Sequence, residues 1–310
     1  MAKQMKERGI YQGHCECSGC GSSDAGALYL HKDGTYSLSC FSAGCTHSAL
    51  NVDPTTLTIL PGSSNGRVID MEEEYLKMAD MQETLCAMDH RGRRLRAEHY
   101  EEYGVLMDMS DDGSQIETIY YPVYREGQMC GYRNRKRFKS WMKDVEKKPQ
   151  LLDVLKCFYG GVGDIKLGIE MFGQHLFPAG GKRIIITCGE DDTVATRQMT
   201  KIATQSTHGK GYPVVSVPSG ESIQSLQPNL RYLSSFDEIY IIADNDEQGR
   251  KFEEQVCKKL PVGKVKLVRL PKEFKDPCDL WVTAKNEYQR KKVSRILYDA
   301  LWNAEKYSPA

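Results

Sequence analysis

The sequence predicts a parallel α/β domain that is preceded by a small, cysteine-rich module. Apolar, β-branched segments alternate with helical segments between residues 182 and 285. This alternation is typical of a parallel sheet covered by helices on both faces. Five of the eleven cysteines fall between Cys15 and Cys45, in a segment that buries too little apolar surface to fold without a metal or another cross-link.

The composition is that of a globular protein. Of the 310 residues, 40% are hydrophobic and 27% are charged, and 42 basic residues balance 42 acidic ones. No apolar run approaches the length of a membrane-spanning helix, and the N-terminus lacks the apolar core of a signal peptide. We therefore expect a soluble, intracellular protein that binds no membrane, with cysteines that hold a metal rather than form disulfides.

The first two regions differ in composition. Residues 1–50 are rich in Cys, Gly and Ser and contain one predicted strand, Thr35–Ser39. The Pro/Gly/Ser/Thr-rich stretch over residues 51–67 is typical of a linker.

Residues 68–181 form the next region. A helix is predicted over Met71–His90. The segments Ile119–Tyr124 and Gln128–Arg133 are predicted as the strands of a hairpin that turns at Glu126 and Gly127.

The alternating pattern occupies residues 182–285. The predicted strands are Lys182–Thr187, Tyr212–Val217, Ile239–Ala243 and Lys264–Leu270. Helices are predicted from the first strand to about Thr204 and over Glu247–Leu260. A C-terminal region, residues 286–310, contains a final predicted helix over Asn286–Glu305.

Two cysteine pairs, each in a Gly/Ser-rich turn, indicate a zinc site. The four cysteines are Cys17, Cys20, Cys40 and Cys45. Two tight turns that carry four thiolates suit the tetrahedral geometry and soft ligands that Zn²⁺ prefers. We therefore predict one structural zinc ion per chain. Two alternatives stay open: His47 or Cys15 replaces one ligand, or the cysteines are unrelated free thiols.

Acidic residues follow three of the predicted strands. They are Glu190, Asp191, Asp192, Asp244, Asp246 and Asp276. The carboxyl ends of parallel strands meet at one edge of a sheet, where such folds bind their ligands. Divalent cations account for so much negative charge, and a pair such as Asp244 and Asp246 suits Mg²⁺ or Mn²⁺. The structural alternative is an aspartate that caps the following helix.

A basic tract extends from Arg133 to Lys148. It holds eight basic and two acidic residues, a net charge of +6, and includes Phe138 and Trp141. Basic side chains neutralise phosphates, and aromatic rings stack on single-stranded bases. A solvated surface is the alternative, but beside an acidic metal site the tract favours nucleic-acid or triphosphate binding. The candidate binding residues are Arg133, Arg135, Lys136, Arg137 and Lys139.

These motifs resemble those of T7-type bacteriophage DNA primases, over nearly the whole chain and in the same order. The resemblance is carried by five segments: Cys17–Asp24, Met171–Thr187, Tyr212–Ser216, Asp244–Lys251 and Leu260–Val265. It implies an α/β TOPRIM fold, a parallel sheet flanked by helices, within an α+β primase catalytic domain preceded by a zinc ribbon. Residues 1–50 would then be the zinc-binding domain, 68–181 the N-terminal subdomain of the RNA polymerase domain, and 182–285 the TOPRIM subdomain.

The resemblance also implies an activity, the synthesis of short RNA primers on single-stranded DNA from ribonucleoside triphosphates. Asp244, Asp246 and Asp276 would bind Mg²⁺ or Mn²⁺ for two-metal nucleotidyl transfer, and Arg133 and Arg135 would lie near the nucleotides. The zinc module would help to select the start site. The expected location is the cytoplasm of the infected bacterial host.

The sequence contains no GxxxxGK[ST] loop, the phosphate-binding motif of nucleotide-driven motor domains. The expected partners are therefore a separate replicative helicase and the replisome, unless the chain is a fragment. A TOPRIM nuclease or topoisomerase is disfavoured by the cysteine-rich module and by the length of the chain.

One position departs from the family. Cys188 stands where the TOPRIM glutamate precedes a glycine, and a thiol is a poor magnesium ligand. Three explanations stay open: Glu190 or Asp192 takes over the role, Cys188 is an inactivating natural or engineered change, or the domain keeps only a binding role. The alternative function is thus a catalytically silent module that binds single-stranded DNA and a replicative helicase.

Overall fold

The structure, a computed structural model, describes residues 10–17, 25–30, 36–40, 48–50, 52–55, 71–136, 158–165, 169–217 and 223–308. The chain divides into two compact units, Met1–Leu76 and Lys77–Ala310. Within the described ranges, no helix combines the length and the apolar character needed to cross a membrane.

The N-terminal unit contains an antiparallel sheet whose four strands pair in chain order. The strands are β1 (Ile10–Cys15), β2 (Gly26–Leu30), β3 (Tyr36–Cys40) and β4 (Ser48–Leu50). The predicted strand over Thr35–Ser39 is confirmed as β3, one residue further along the chain. Leu38 and Val52 form a small apolar core, against which Cys15 packs.

Helix α1 (Met71–Thr84) is shorter than the predicted helix, which extended to His90. The helix ends at Thr84 because Cys86 is extended and forms an antiparallel β-bridge with Met107. In this bridge the N–H of Met107 donates to the carbonyl oxygen of Cys86 at 3.0 Å. A single 3-10 turn over Arg91–Arg93 and helix α2 (Ala97–Glu101) follow.

An antiparallel meander comes next. Its strands are β5 (Leu106–Met109), β6 (Ile116–Arg125), β7 (Gln128–Lys136) and β8 (Phe158–Gly163). Strands β6 and β7 confirm the predicted hairpin and extend it. At its turn Glu126 has φ 51° and Gly127 has φ 76°, the pair of positive angles that a type I′ turn requires.

The second sheet is mainly parallel, with strand order β10-β9-β11-β12-β13. Its strands are β9 (Gly181–Thr187), β10 (Val214–Ser216), β11 (Phe236–Ile242), β12 (Val265–Leu267) and β13 (Glu305–Lys306). The first four run parallel, whereas β13 pairs antiparallel with β12 at the edge. The accompanying helices are α3 (Glu190–Ala203), α4 (Leu230–Ser234), α5 (Glu247–Cys257), α6 (Pro277–Val282) and α7 (Glu287–Trp302).

Both faces of the parallel sheet are covered, as predicted. Ile184 and Ile186 on β9 belong to one buried apolar cluster, and Ile185 between them belongs to another. All three side chains are fully buried. Because successive side chains of a strand point to opposite faces, the two clusters lie on the two sides of the sheet, which confirms the predicted fold class.

One of these clusters also joins the meander to the parallel sheet. The ring of Tyr103 stacks on Phe172 at 5.1 Å between centroids, and its hydroxyl donates to the carbonyl oxygen of Val214 at 3.0 Å. Trp281 on α6 is buried and donates through Nε1 to the carbonyl oxygen of Arg94 at 3.1 Å. The second contact holds the 3-10 turn over Arg91–Arg93 beside α6.

His99 on α2 is a buried histidine whose pKa is lowered. Its ring meets Trp281 edge-on at 5.9 Å between centroids, and its Nδ1 accepts a hydrogen bond from the N–H of Arg96 at 3.2 Å. Burial lowers the pKa of His99 to about 4, against the opposing charge of Glu98. An unfolded histidine titrates near pH 6.5, so the unfolded chain takes up this proton first as the pH falls.

We expect this histidine to make the unfolding free energy fall by about 2 kcal/mol between pH 7 and pH 5. The contribution is complete above pH 6.5 and is lost as the pH falls towards 4. His99→Gln keeps an acceptor for the N–H of Arg96 but does not titrate, so its stability should fall less over the same interval. Urea unfolding at both pH values measures the difference, and equal losses in the two proteins would contradict the assignment.

Candidate functional site

The carboxyl ends of three parallel strands carry acidic residues at one edge of the sheet. Asp244 and Asp246 follow β11, Asp192 lies in the first turn of α3 after β9, and Asp276 begins α6 after β12. Asp192 Oδ1 accepts a hydrogen bond from the N–H of Cys278 at 3.0 Å. The structure therefore brings α3 and the start of α6 together at this edge.

Asn245 fixes the loop after β11 to the loop before α6. Its N–H donates to the carbonyl oxygen of Lys275 at 2.7 Å, and its side-chain Nδ2 donates to the carbonyl oxygen of Phe274 at 2.7 Å. Gly249 lies so close to the backbone of Asp244 that a Cβ at this position would collide with it. The tight turn brings Asp244 and Asp276 towards each other.

Two of the aspartates also cap helices, which is the structural alternative that the sequence left open. Asp246 Oδ1 accepts from the N–H of Gly249 at 2.8 Å, and Asp276 Oδ1 accepts from the N–H of Asp279 at 2.6 Å. The second oxygen of Asp246 lies 3.3 Å from the Nζ of Lys275. Capping thus engages one oxygen of each carboxylate and is compatible with a second role for the other.

Burial and mutual repulsion among the carboxylates at this edge raise the pKa values of two of them. Burial, and then the charges of Asp276 and Asp244, raise the pKa of Asp192 well above its ordinary range. Burial and Asp276 also raise the pKa of Asp244, although Lys275 acts in the opposite direction. The Nζ of Lys275 lies 3.3 Å from an oxygen of Asp244 as well as from Asp246, so a cationic group already lies between these two carboxylates.

These residues fit a divalent cation. Asp244 Oδ1 is buried and accepts no hydrogen bond from any described residue. Such an oxygen in a buried, negative setting is a ligand without a partner. In the described part of the chain no three His, Cys, Asp or Glu side chains already form a metal cage. Mg²⁺ does not need one, since it commonly binds one or two carboxylates and completes its shell with water and phosphate.

Cys188 lies inside the apolar core. Its side chain belongs to the cluster of Ile184 and Ile186, and the residue is 7% exposed. Of the two proposed substitutes, Glu190 pairs with Arg133, with 3.1 Å between Oε1 and Nη1, whereas Asp192 lies with the other aspartates.

Next to the acidic edge, arginines surround the buried carboxylate of Asp191, which the sequence grouped with the acidic residues and not with the basic ones. Its Oδ2 lies 2.7 Å from Nη2 of Arg135 and 3.5 Å from Nε of Arg93. Its Oδ1 accepts hydrogen bonds from the hydroxyls of Tyr100 at 3.0 Å and Tyr121 at 3.1 Å. Burial acts to raise the pKa of Asp191, but Arg135 and then Arg93 outweigh it and lower the pKa.

A signal for Asp191 is present in the sequence. Spacings of three, four and eight residues link it to Val194, Ala195 and Met199, the buried stripe of α3. A carboxylate on an apolar stripe requires buried partners. Arg93, which is not among the candidates chosen from the sequence, combines a contact to Asp191 with a side chain that is 40% exposed.

The remaining basic candidates cannot be placed. Strand β7 includes the backbone of Lys136, and its side chain lies outside the described residues, as do Arg137 and Lys139. The same holds for the zinc candidates Cys20, Cys45 and His47.

Two of the described cysteines of the N-terminal unit lie beside Gly26. Cys15 and Cys40 flank this glycine on the neighbouring strands β1 and β3. A Cβ on Gly26 would lie 3.0 Å from Sγ of Cys15. Cys17 is fully buried, and burial and then Cys17 raise the pKa of the Cys15 thiol. Cys15 thus interacts with Cys17, which follows β1, and lies two strands away from Cys40.

Comparison with known proteins gives a family match at the acidic edge. Residues 192–281 match the Toprim-like family. The whole sequence is similar to the DNA helicase/primase of Enterobacteria phage T3, with 23% identity over 312 residues, 99% of this chain and 46% of the phage protein. The chain thus spans about half the length of this relative.

Two solved structures share the fold. The primase fragment of the bacteriophage T7 primase-helicase has a TM-score of 0.51 and 22% identity, covering 94% of this chain and 100% of that chain. The second is a structure of bacteriophage T7 lagging-strand DNA polymerase interacting with primase domains bound to an RNA/DNA hybrid and dTTP. It has a TM-score of 0.50 and 24% identity, covering 72% of this chain and 94% of that chain. The predicted resemblance is confirmed, because residues 192–281 match the Toprim-like family and the chain is similar in sequence to the phage T3 helicase/primase and in fold to the T7 primase fragment.

Proposed function

We propose that this chain is a DNA primase, which joins ribonucleoside triphosphates into short RNA primers on a single-stranded DNA template. One observation carries the proposal: adjacent residues of α3 belong to two complementary groups. Asp192 interacts with Asp244 and Asp276, whereas Asp191 holds Arg93 and Arg135. An anionic site for cations beside a cationic site for phosphates suits phosphoryl transfer, in which positioning and charge stabilisation supply most of the catalysis.

Asp244, Asp246 and Asp276 would hold Mg²⁺ or Mn²⁺ at the edge of the sheet. When bound, a pair of these ions supplies Lewis-acid activation of the primer 3′-hydroxyl and charge neutralisation at the attacked phosphorus and the leaving pyrophosphate. Lys275 keeps Asp244 and Asp246 close together, and it would move aside or bind a substrate phosphate when substrate arrives.

The arginines would bind the triphosphate. Arg133 is held by Glu190, and Arg135 and Arg93 are held by Asp191. An arginine fixed by a carboxylate on one side can offer its remaining N–H groups to phosphate oxygens in a defined geometry. Asp191 is thus a positioning residue. Lys136, Arg137 and Lys139 would continue the same basic surface along the template.

The N-terminal unit would contribute template selection. We assign residues 1–50 to a zinc-binding domain, 51–67 to a linker, 68–181 and 182–285 to the two subdomains of the catalytic domain, and 286–310 to a C-terminal segment. The helix predicted in that segment over Asn286–Glu305 is shorter, since α7 ends at Trp302 and β13 follows. The position of Cys15 and Cys40 on either side of Gly26, with Cys17 close to Cys15, supports a thiolate site in this unit. One zinc ion bound by Cys17, Cys20, Cys40 and Cys45 would cross-link a sheet with little apolar core.

The partners follow from the proposed activity. A primase acts on template exposed by a replicative helicase, and the phage T3 relative is described as a helicase/primase. We therefore propose a replicative helicase and the replisome as partners, in the cytoplasm of an infected bacterial host.

Cys188 supports a second candidate function, a catalytically silent module that binds single-stranded DNA and a helicase. The thiol is buried in an apolar cluster, so the position of the family's glutamate contributes no charge to the acidic edge. In the primase proposal, Asp192 is the better-placed substitute because Glu190 is engaged by Arg133.

Metal analysis tests the zinc module. We expect the purified protein to contain close to one equivalent of zinc per chain, and Cys17→Ser to lose most of it because a hydroxyl is a poor replacement for a thiolate. Cys86→Ser, which removes an exposed thiol of the larger unit, is the matched control. A folded protein that contains no zinc would remove this part of the proposal.

Incorporation of labelled ribonucleotides on mixed-sequence single-stranded DNA with Mg²⁺ tests the activity. We expect short, template-dependent products from the unmodified chain. Asp246→Asn should reduce synthesis by roughly 100-fold or more and leave DNA binding nearly intact, because asparagine still caps α5. The matched control is Asp299→Asn, an exposed carboxylate on α7, which should keep its activity.

Cys188→Glu in the same assay separates the two candidate functions. Products from the unmodified chain would mean that another carboxylate replaces the family's glutamate. Products from Cys188→Glu alone would identify an intact scaffold inactivated at one position. If a folded Cys188→Glu protein and the unmodified chain were both inactive on templates of all sequences, with the helicase present, the silent module would take first place.

Asp191→Asn tests the positioning role. The substitution keeps the size of the side chain but leaves two arginines without their buried counter-charge, so affinity for the triphosphate should fall. We expect the dissociation constant for ATP with Mg²⁺, measured by calorimetry, to rise roughly tenfold. The KM should also rise, with a smaller change in kcat. Tyr121→Phe removes one hydrogen bond and keeps the charge, so its effect should be smaller. Unchanged ATP affinity in a folded Asp191→Asn protein would refute the role.

A further inference from the structure

A second basic site lies away from the acidic edge, at the opposite end of α3. It is a cavity of about 380 Å³ between the C-terminal end of α3, the start of α7 and Arg96. Helix α3 has 14 residues, so its two ends are about 20 Å apart. Neither the aspartates nor the arginines of the proposed primase site line this cavity.

The lining is strongly cationic. Four of its side chains are basic and one is acidic: Arg96, Lys285, Arg290, Lys291 and Glu287. The single carboxylate is 3.1 Å from Nζ of Lys291, and both side chains of that pair are more than half exposed. Three positive charges therefore remain in excess among the lining residues. The first turn of α7 adds the positive end of its helix dipole to this charge.

Arg290 is the central group of the cavity. Its guanidinium lies over the ring of Trp281, with Cζ 5.3 Å from the centroid, so the side chain is held in place on one side. Its Nε is buried and donates to no acceptor among the described residues. Burial, and then the charge of Arg96, lower the pKa of Arg290. The chain thus keeps a fixed guanidinium and a neighbouring cation close together, and the exposed carboxylate of Glu98, 3.5 Å from Arg96, offsets only part of their charge.

We propose that this cavity binds a phosphate group of a ligand, with Arg290 as its principal contact and Lys285, Lys291 and Arg96 as the surrounding cations. Buried polar donors normally have partners, and a guanidinium forms its strongest hydrogen bonds with phosphate or carboxylate oxygens. The volume falls within the range of small-ligand sites. A phosphate dianion offers several acceptors and two charges, which matches the several donors of a guanidinium and the excess positive charge of the lining better than a single carboxylate does.

The phosphate could come from a free nucleotide or from a nucleic-acid backbone, and two probes distinguish these sources. The first is ATP in EDTA, measured by calorimetry, because without divalent cations the acidic edge repels the triphosphate. The second is a fluorescein-labelled single-stranded oligonucleotide, measured by anisotropy at low salt. Both are applied to the full chain and to Arg290→Gln, with Lys285→Gln as a second variant because Lys285 is exposed.

We expect Arg290→Gln to weaken the binding of one of the two probes roughly tenfold, and Lys285→Gln to weaken the binding of the same probe by less. Weaker ATP binding identifies a nucleotide site, and weaker oligonucleotide binding identifies a backbone contact. Lys258→Gln is the matched control, since it removes one positive charge from an exposed position at the C-terminal end of α5. If both variants bound both probes as the Lys258→Gln protein does, the proposal would be overturned. This test does not depend on primase activity, so the two proposals can fail separately.

Discussion

The pairing of one buried carboxylate with two arginines and two tyrosines organises the larger unit. Asp191 accepts from groups on α2, β6 and β7 and contacts the 3-10 turn that precedes α2. Removing one partner from a buried charge pair typically costs roughly 3–5 kcal/mol. The meander and the first turn of α3 are therefore locked to each other by charge as well as by apolar contact. The arginines of β7 consequently face the end of β9 at a fixed distance.

Asp192, the residue after Asp191, has carboxylates rather than arginines as its neighbours. Asp192 is half-buried among carboxylates, and its pKa is raised, whereas the pKa of Asp191 is lowered by arginines. Adjacent residues of a helix project about 100° apart, so a single turn can present a neutralised charge on one side and an unsatisfied charge on the other. Lys275 relieves part of the repulsion. The unsatisfied side is the one on which a cation would be stabilised.

The sequence was sufficient for features that depend on local pattern. Alternation of apolar strands and helices predicted the parallel sheet, and the positions of Asp192, Asp244 and Asp276 after strand ends placed them near one another. It did not reveal the end of α1, because the bridge between Cys86 and Met107 joins segments that are distant in the chain. The partners of Asp191 were missed for the same reason, since its closest donors lie 56 to 91 positions away. The apolar stripe of α3 marked this residue as buried but gave no information about which arginines would pair with it.

The short strand β13 affects how the protein behaves in concentrated solution. It pairs antiparallel with β12, so the backbone groups on that side of the parallel sheet are covered by the chain itself. An uncovered sheet edge is a template onto which another polypeptide can add. Two residues, Glu305 and Lys306, occupy that edge and carry charges of opposite sign. Strand β13 thus acts against edge-to-edge self-association, a colloidal role that is separate from any chemistry at the acidic edge.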